Sequence, residues 1–426
     1  MSSDETLEIA PRGPLHARLR VPGSKSISNR ALVVAALARG RSELEGVLDS
    51  EDIGAMVAAL RALGAGIEPQ GERLVVTGVD GRPCTPSTTL DAHASGTAAR
   101  FLTAVMALTP GQSRLDGTAR LRERPIGELV DALRQLSVDV VAESPGACPP
   151  VRCMGGAPFG GVATVDARRS SQYVSALLLI GPYAAHELVL RLHAGVLVSR
   201  PYVDVTLQVM REFGAEAGFS DAQTLHVVPG RGYQARPYAI EPDASTAAYF
   251  FAAAAIAGGN VRVRGLSRTS GQADIAFLGL LERMGCRVES DADGVEVRAS
   301  GAPLRAIDAD MNAMPDAVLA CAVTALFAQG TTRIRNVGNL RIKETDRLAA
   351  LERELRKLGA QAHAGEDSLT ITPGPLRGAE IDTYDDHRMA MAFALAGLRV
   401  PGVRIRDPRC VGKSWPGYFE ALATLR

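Results

Sequence analysis

The chain carries no surplus of either charge: 47 Lys and Arg stand against 47 Asp and Glu over 426 residues, and the pI is near 7.1. A general nucleic-acid binder is excluded on that ground, because phosphate contacts demand a basic excess. Aromatic residues are scarce, at 4% with a single Trp, which leaves no platform for stacking bases. No apolar run approaches the ~20 residues that span a bilayer, so no membrane partner is expected. The opening segment MSSDETLEIAPRG is acidic and polar and lacks the apolar core of a secretion signal. A cytoplasmic protein is therefore expected. The six cysteines contain no CxxC pair and read as reduced thiols, not as a disulfide framework or a zinc site. The seven histidines offer neither HExxH nor a close pair, so no metal is expected. No G-x-S-x-G is present, and no G-x-G-x-x-G convincingly follows a strand. The GKS at 412–414 resembles the end of a phosphate-binding loop, but that motif needs Gly at 407, where Asp407 stands.

What the chain does have is Gly (43 residues) and Ala, recurring in phase. Six Ala-rich apolar runs read as buried helices: NRALVVAALARG, TAARFLTAVMALTPG, SQYVSALLLIGPYA, STAAYFFAAAAIAGG, PDAVLACAVTALFAQG and HRMAMAFALAGLRVPG. Their polar ends fall near Ser24, Ser95, Ser170, Ala244, Pro315 and Asp385, at intervals of 70 to 75 residues. Each run leads into a short alternating segment that reads as a half-buried strand, such as SELEGV or NVRVRG. In five units an amphipathic helix follows, and in four of these Gly64, Gly214, Gly285 or Gly359 closes it, with Ser137 at the matching place in the fifth. The sixth unit ends the chain with GYFEALATLR. The expectation is a mixed α/β protein of six units of about 71 residues, each with two helices and several short strands.

The chemistry recurs at equivalent places in the units. Lys25, Ser26 and Arg30 open the first apolar helix, Gly96 and Arg100 the second, Ser170, Ser171 and Gln172 the third, Asp316 the fifth and Arg388 the sixth. Helix N-termini favour anions, and Ser, Thr or Asp there serve equally well as ordinary caps. Caps do not account for Lys25, Arg30, Arg100 and Arg388, because a cation in a first turn opposes the helix dipole; a bound anion among them would. Loops after the strands add Arg124, Ser199, Asn339, Lys343, Glu344, Arg347 and Lys413. Taken singly, each reads as an ordinary polar or charged surface residue. Taken together, they suit small substrates bearing phosphate and carboxylate, since Arg forks bind both groups. Asp316 and Glu344 are carboxylates among these cations and candidates for proton transfer. For Glu344 an i,i+3 pair with Arg347 on one helix face is the plainer reading.

The segments VPGSKSISNRALVVAALA, LDSEDI, ERPIGELVDAL, SSQYVSALLL, MPDAVLACAV, NLRIKETDRL, DDHRMAMAFALAG and CVGKSWPGYFEAL resemble the 5-enolpyruvylshikimate-3-phosphate synthase family over essentially the whole chain. The resemblance implies a two-lobed inside-out α/β barrel, with helices buried beneath strands and the lobes closing over substrates. Residues 21–239 would form one lobe of three repeats, and residues 1–20 joined with 240–426 the other. It implies transfer of the enolpyruvyl group of phosphoenolpyruvate to the 5-hydroxyl of shikimate-3-phosphate, with release of phosphate, by addition and elimination through a tetrahedral intermediate. The partners implied are those two small molecules. No metal or organic cofactor is implied, and a monomer is expected.

Carried over by motif, shikimate-3-phosphate would contact Lys25, Ser26, Arg30, Ser170, Ser171, Ser199, Asp316, Asn339 and Lys343. Phosphoenolpyruvate would contact Lys25, Gly96, Arg124, Gln172, Arg347, Arg388 and Lys413. Lys25, Asp316 and Glu344 would be catalytic, with Asp316 accepting a proton and Glu344 handling protons at the enolpyruvyl methylene. The family's GNAGTAMRP motif keeps Gly96, Thr97 and Arg100 here, but Ala94, Ser95 and Phe101 replace its Asn, Ala and Pro. A sister transferase acting on UDP-N-acetylglucosamine carries a Cys-containing loop, whereas RERPIG here has no Cys. A transferase for another sugar-like acceptor is a further reading, and so is a non-catalytic anion binder. The intact Lys25, Asp316, Glu344 and Lys413 weigh against the anion binder.

Overall fold

The structure, a computed structural model, describes residues 5–426. The chain divides into two compact units, Gly23–Ile240, and the stretch up to Pro22 joined with Glu241–Arg426. Residues 1–4, part of the 1–20 segment expected in the second lobe, lie outside the described residues. Among the described residues no helix is long and apolar enough to cross a membrane.

In Gly23–Ile240, apolar and amphipathic helices alternate: α1 (Lys25–Leu37), α2 (Glu51–Ala62), α3 (Gly96–Val105), α4 (Gly127–Gln135), α5 (Gln172–Ile180) and α6 (Pro201–Glu212). The other unit continues with α7 (Ala244–Ala257), α8 (Phe277–Met284), α9 (Val318–Ala325), α10 (Arg347–Lys357), α11 (His387–Gly397) and α12 (Tyr418–Thr424). The odd-numbered helices begin 69 to 76 residues apart. They are apolar on all sides because they are covered on all sides: every residue of α7, α9 and α11 is buried. Small Ala side chains let such helices lie close together without voids.

The sheets repeat too. In the first unit three four-stranded sheets share one order and one sense. The first strand runs parallel to the second, and the remaining pairs are antiparallel, as in Leu90–Asp91, Gln112–Asp116, Cys148–Met154 and Asp139–Ser144. The sheet built on Arg41–Glu45 takes its parallel strand, Pro237–Ala239, from the far end of the unit, so the unit closes on itself. The second unit closes through the N-terminal segment. Leu15–Leu19 pairs in parallel with Gly259–Arg264, and Thr6–Glu8 pairs antiparallel with Arg404–Arg406. These pairings tie the segment from Thr6 to Leu19 to strands beyond Glu241.

The helix-stop signals read from the sequence correspond to left-handed residues. Gly64, Gly214, Gly285 and Gly359 have φ of 98°, 89°, 110° and 102°, and Ser137 takes the same region at 71°. A residue without Cβ does this without steric cost, whereas Ser does not.

Candidate active site

In Gly23–Ile240 the expected residues gather at the N-terminal ends of α1, α3 and α5. The Ser24 hydroxyl caps α1 by accepting the Ile27 N–H, which leaves Lys25 as the first helical residue. Lys25 Nζ lies 3.2 Å from the Asp52 carboxylate, in the first turn of α2. Spacing alone gives no functional signal for Asp52, in the LDSEDI segment; its nearness to Lys25 comes from the packing of α2 against α1.

Arg30 is nearly sealed from solvent. Its guanidinium donates to Thr206 Oγ1 (2.7 Å), the Ser26 carbonyl (2.8 Å), the Tyr202 carbonyl (2.9 Å) and Ser175 Oγ (3.4 Å), and it stacks 5.3 Å from the Phe101 ring centre. Burial lowers its pKa to about 10, so it stays charged at neutral pH. Much of its fork braces α1 against α5 and α6.

Gly96 opens α3, and the geometry gives a specific reason for glycine. A Cβ there would lie 2.4 Å from Arg100 Nη1 and 2.6 Å from Arg124 Nη2. Two guanidiniums thus pass against its Cα. Arg100 donates to the Gly96 and Pro125 carbonyls, both at 2.9 Å, and Arg124 donates to the Ala94 carbonyl at 3.2 Å. Ser95 caps the helix through the Ala98 N–H. Gln172 Nε2 reaches Thr97 Oγ1 at 3.0 Å and so joins the starts of α3 and α5. Ser170 Oγ accepts the Gln172 N–H. Ser171 is buried as the N-cap residue of α5, and Ser199, left-handed at φ 53°, is buried ahead of α6.

In the second unit Asp316, Glu344, Arg347, Arg388 and Lys413 form one charged network with Asp386. Asp316 lies in the 3-10 turn Pro315–Ala317 that leads into α9. Arg388, in the first turn of α11, donates to Asp316 at 2.8 Å, and Arg347 does so at 3.3 Å. Arg347, the first residue of α10, also binds Glu344 at 2.8 Å and both oxygens of Asp386 at 2.7 and 3.1 Å. Burial alone would depress the Arg347 guanidinium; Asp386, Glu344 and Asp316 outweigh it and push its pKa up. Lys413 Nζ is 3.9 Å from Glu344. Asp385 is raised by burial, with Lys413 opposing the rise. Asn339 and Lys343, in and just after the turn Gly338–Ile342, are half-buried.

Two expectations change in form. The i,i+3 pair of Glu344 with Arg347 exists, yet Glu344 precedes α10, so the pair is not on a helix face. The cations near the helix starts, with Arg30 and Arg100 in the second turn rather than the first, do not rely on a bound anion for a partner. Asp52 serves Lys25, Asp316 serves Arg388, and backbone carbonyls serve Arg30 and Arg100. Asp386 stands in the DDHR segment as a helix start, and its cap role hides its second one as the buried acceptor of Arg347.

A sequence profile of the family described as EPSP synthase (3-phosphoshikimate 1-carboxyvinyltransferase) matches residues 9–422. The chain is 45% identical over 426 residues to 3-phosphoshikimate 1-carboxyvinyltransferase of Yersinia pseudotuberculosis, covering 99% of each. The EPSP synthase structure from Acinetobacter baumannii superposes with a TM-score of 0.82 at 26% identity, covering 98% of this chain and 97% of that one. The enolpyruvyl transferase NikO from Streptomyces tendae, at 22% identity and a TM-score of 0.79 over 99% and 98% of the two chains, shares the fold.

Proposed function

The chain belongs to the EPSP synthase (3-phosphoshikimate 1-carboxyvinyltransferase) family, and from that premise we propose how its residues divide the work. The protein is a transferase of aromatic amino-acid biosynthesis. It moves the enolpyruvyl group of phosphoenolpyruvate to shikimate-3-phosphate and releases phosphate.

The observation that carries the residue assignment is the network around Arg347, in which two carboxylates with some solvent access, Asp316 and Glu344, share one buried guanidinium. Arginine fixes both in position and stays protonated, so only the carboxylates exchange protons. Asp316 takes the proton of the acceptor hydroxyl as that oxygen bonds to C2 of phosphoenolpyruvate. Glu344 gives a proton to C3, turning the methylene into a methyl group. In the elimination Glu344 takes one C3 proton back, the C2–O bond to phosphate breaks, and phosphate leaves. Lys25 offsets negative charge as it develops. Ser26, Arg30, Ser170, Ser171, Ser199, Asn339 and Lys343 hold shikimate-3-phosphate with Lys25 and Asp316. Gly96, Arg124, Gln172, Arg347, Arg388 and Lys413 hold phosphoenolpyruvate with Lys25, where Arg forks suit its phosphate and carboxylate.

We read each unit as three repeats of an inside-out α/β barrel, 21–239 in one and 1–20 with 240–426 in the other; the wholly buried helices and the recurring sheet order support this. The protein works as a cytoplasmic monomer without a cofactor.

Running the reaction in D2O tests the proton assignments. Deuterium should enter the enolpyruvyl methylene of the product, and Glu344→Gln should abolish both that exchange and turnover. Wild-type exchange in folded Glu344→Gln would remove Glu344 from its role.

A further inference from the structure

Close to Asp316 lies a second carboxyl group that the roles above leave unused. Asp274 sits in the 3-10 turn Ala273–Ala276 and is 4% exposed. Its Oδ1 accepts the N–H of Ala317, the residue next to Asp316, at 3.2 Å. Its Oδ2 accepts the hydroxyl of Ser245 in the first turn of α7. Asp316 itself is gripped by Arg388 at 2.8 Å and Arg347 at 3.3 Å. Two guanidiniums stabilise a carboxylate and weaken it as a base, while a general base works best with a pKa near the working pH.

We propose that Asp274 is a positioning residue that acts through Asp316. It holds the turn Pro315–Ala317, and its negative charge returns to Asp316 the proton affinity that Arg347 and Arg388 remove. The proposal rests on reading Asp316 as the proton acceptor.

Several charged and polar groups face Asp274. From the 3-10 turn comes Asp316, from α11 Arg388, and from the start of α7 Ser245 and Asp243. In α8, Glu282 pairs with Arg268 at the surface, and Arg283 donates to the Asp308 carbonyl. Burial first, and then the charge of Asp316, raise the Asp274 carboxyl to about 6 against the pull of Arg388 and Ser245. Asp274 therefore gains its charge as pH rises through about 6, above the ordinary carboxylate range. As pH falls through this range, Asp316 loses its support and turnover declines.

The test is the pH profile of kcat from pH 5 to 9 in wild type, Asp274→Asn, Ser245→Ala and Asp316→Asn. Asp274→Asn keeps an acceptor for the Ala317 N–H but not the charge. Its kcat at pH 8 should fall roughly three- to tenfold, as a weakened general base predicts, its limb near pH 6 should flatten, and both KM values should hold. Ser245→Ala removes the hydroxyl that stabilises the anion, so its limb should move to higher pH. Folded Asp274→Asn with the wild-type profile, or with KM and kcat altered together and the limb unmoved, would overturn the proposal. Should Asp274→Asn not fold, Ser245→Ala decides alone, and an unmoved limb rejects the coupling. Asp316→Asn separates the two readings. If it turns over normally, the premise fails; if it is inactive while the other two variants match wild type, only the role of Asp274 fails.

Discussion

Arg347 Nε meets Asp386 Oδ2 at 2.7 Å, and solvent reaches 1% of one side chain and 0% of the other. Asp386 does two jobs at once, because its other oxygen accepts the Arg388 N–H at 2.9 Å and so caps α11. One carboxylate thereby holds the Arg347 guanidinium and the backbone of Arg388, the two residues whose side chains grip Asp316. Removing it as Asp386→Ala strips a cap and leaves a buried cation with one fewer partner. We expect a loss of about 3–5 kcal/mol in urea unfolding; a loss under about 1 kcal/mol would show that the pair contributes little.

Gly96→Ala should act on the two guanidiniums beside it. The new Cβ cannot stay 2.4 Å from Arg100 and 2.6 Å from Arg124, so both forks must shift. The expected result is a KM for phosphoenolpyruvate raised roughly tenfold or more, in keeping with the sensitivity of bound geometry to small displacements. The KM for shikimate-3-phosphate should change less. An unchanged pair of KM values would mean that the forks adjust without cost.

Ser137 holds a strained left-handed φ of 71° at a place where four other units use glycine. Ser137→Gly should stabilise the protein by about 1 kcal/mol, net of the entropy glycine adds to the unfolded chain, as read from the urea midpoint. Destabilisation would show that the Ser side chain has a compensating role.

Asp274 should reveal itself in stability with the opposite sign to its effect on turnover. Its folded pKa, raised by burial to about 6, lies above the ordinary carboxylate value. Its contribution to stability is therefore fully present below about pH 4 and lost as pH rises through about 6. Asp274→Asn removes a charge the fold does not favour, so Tm should rise at pH 8 relative to wild type and not at pH 4. A Tm lowered equally at both pH values would contradict this.

Much of the architecture is legible in the sequence because it repeats. Apolar Ala-rich runs at a near-constant spacing, strand-like alternation after each, and glycine stops at matching places locate the helices and strands. The pairings that close each unit are not legible from pattern: Pro237–Ala239 with Arg41–Glu45, and Thr6–Glu8 with Arg404–Arg406, join strands far apart in the chain, and nothing in a short strand names its partner. Asp316, Glu344, Arg347, Arg388 and Lys413 stand out as charges beside helix ends, and they do form one network. Asp52, Asp274 and Asp386 are harder to find. Each looks locally like a first-turn or cap carboxylate, and only tertiary packing gives each its second partner.

Phosphate release from purified protein reads the transfer itself. With shikimate-3-phosphate and phosphoenolpyruvate together, phosphate should appear in step with loss of phosphoenolpyruvate. Omitting either substrate, or substituting Asp316→Ala in folded protein, should stop it. Folded wild-type protein that releases no phosphate with both substrates present, or that releases it equally without shikimate-3-phosphate, would rule out enolpyruvyl transfer to that acceptor.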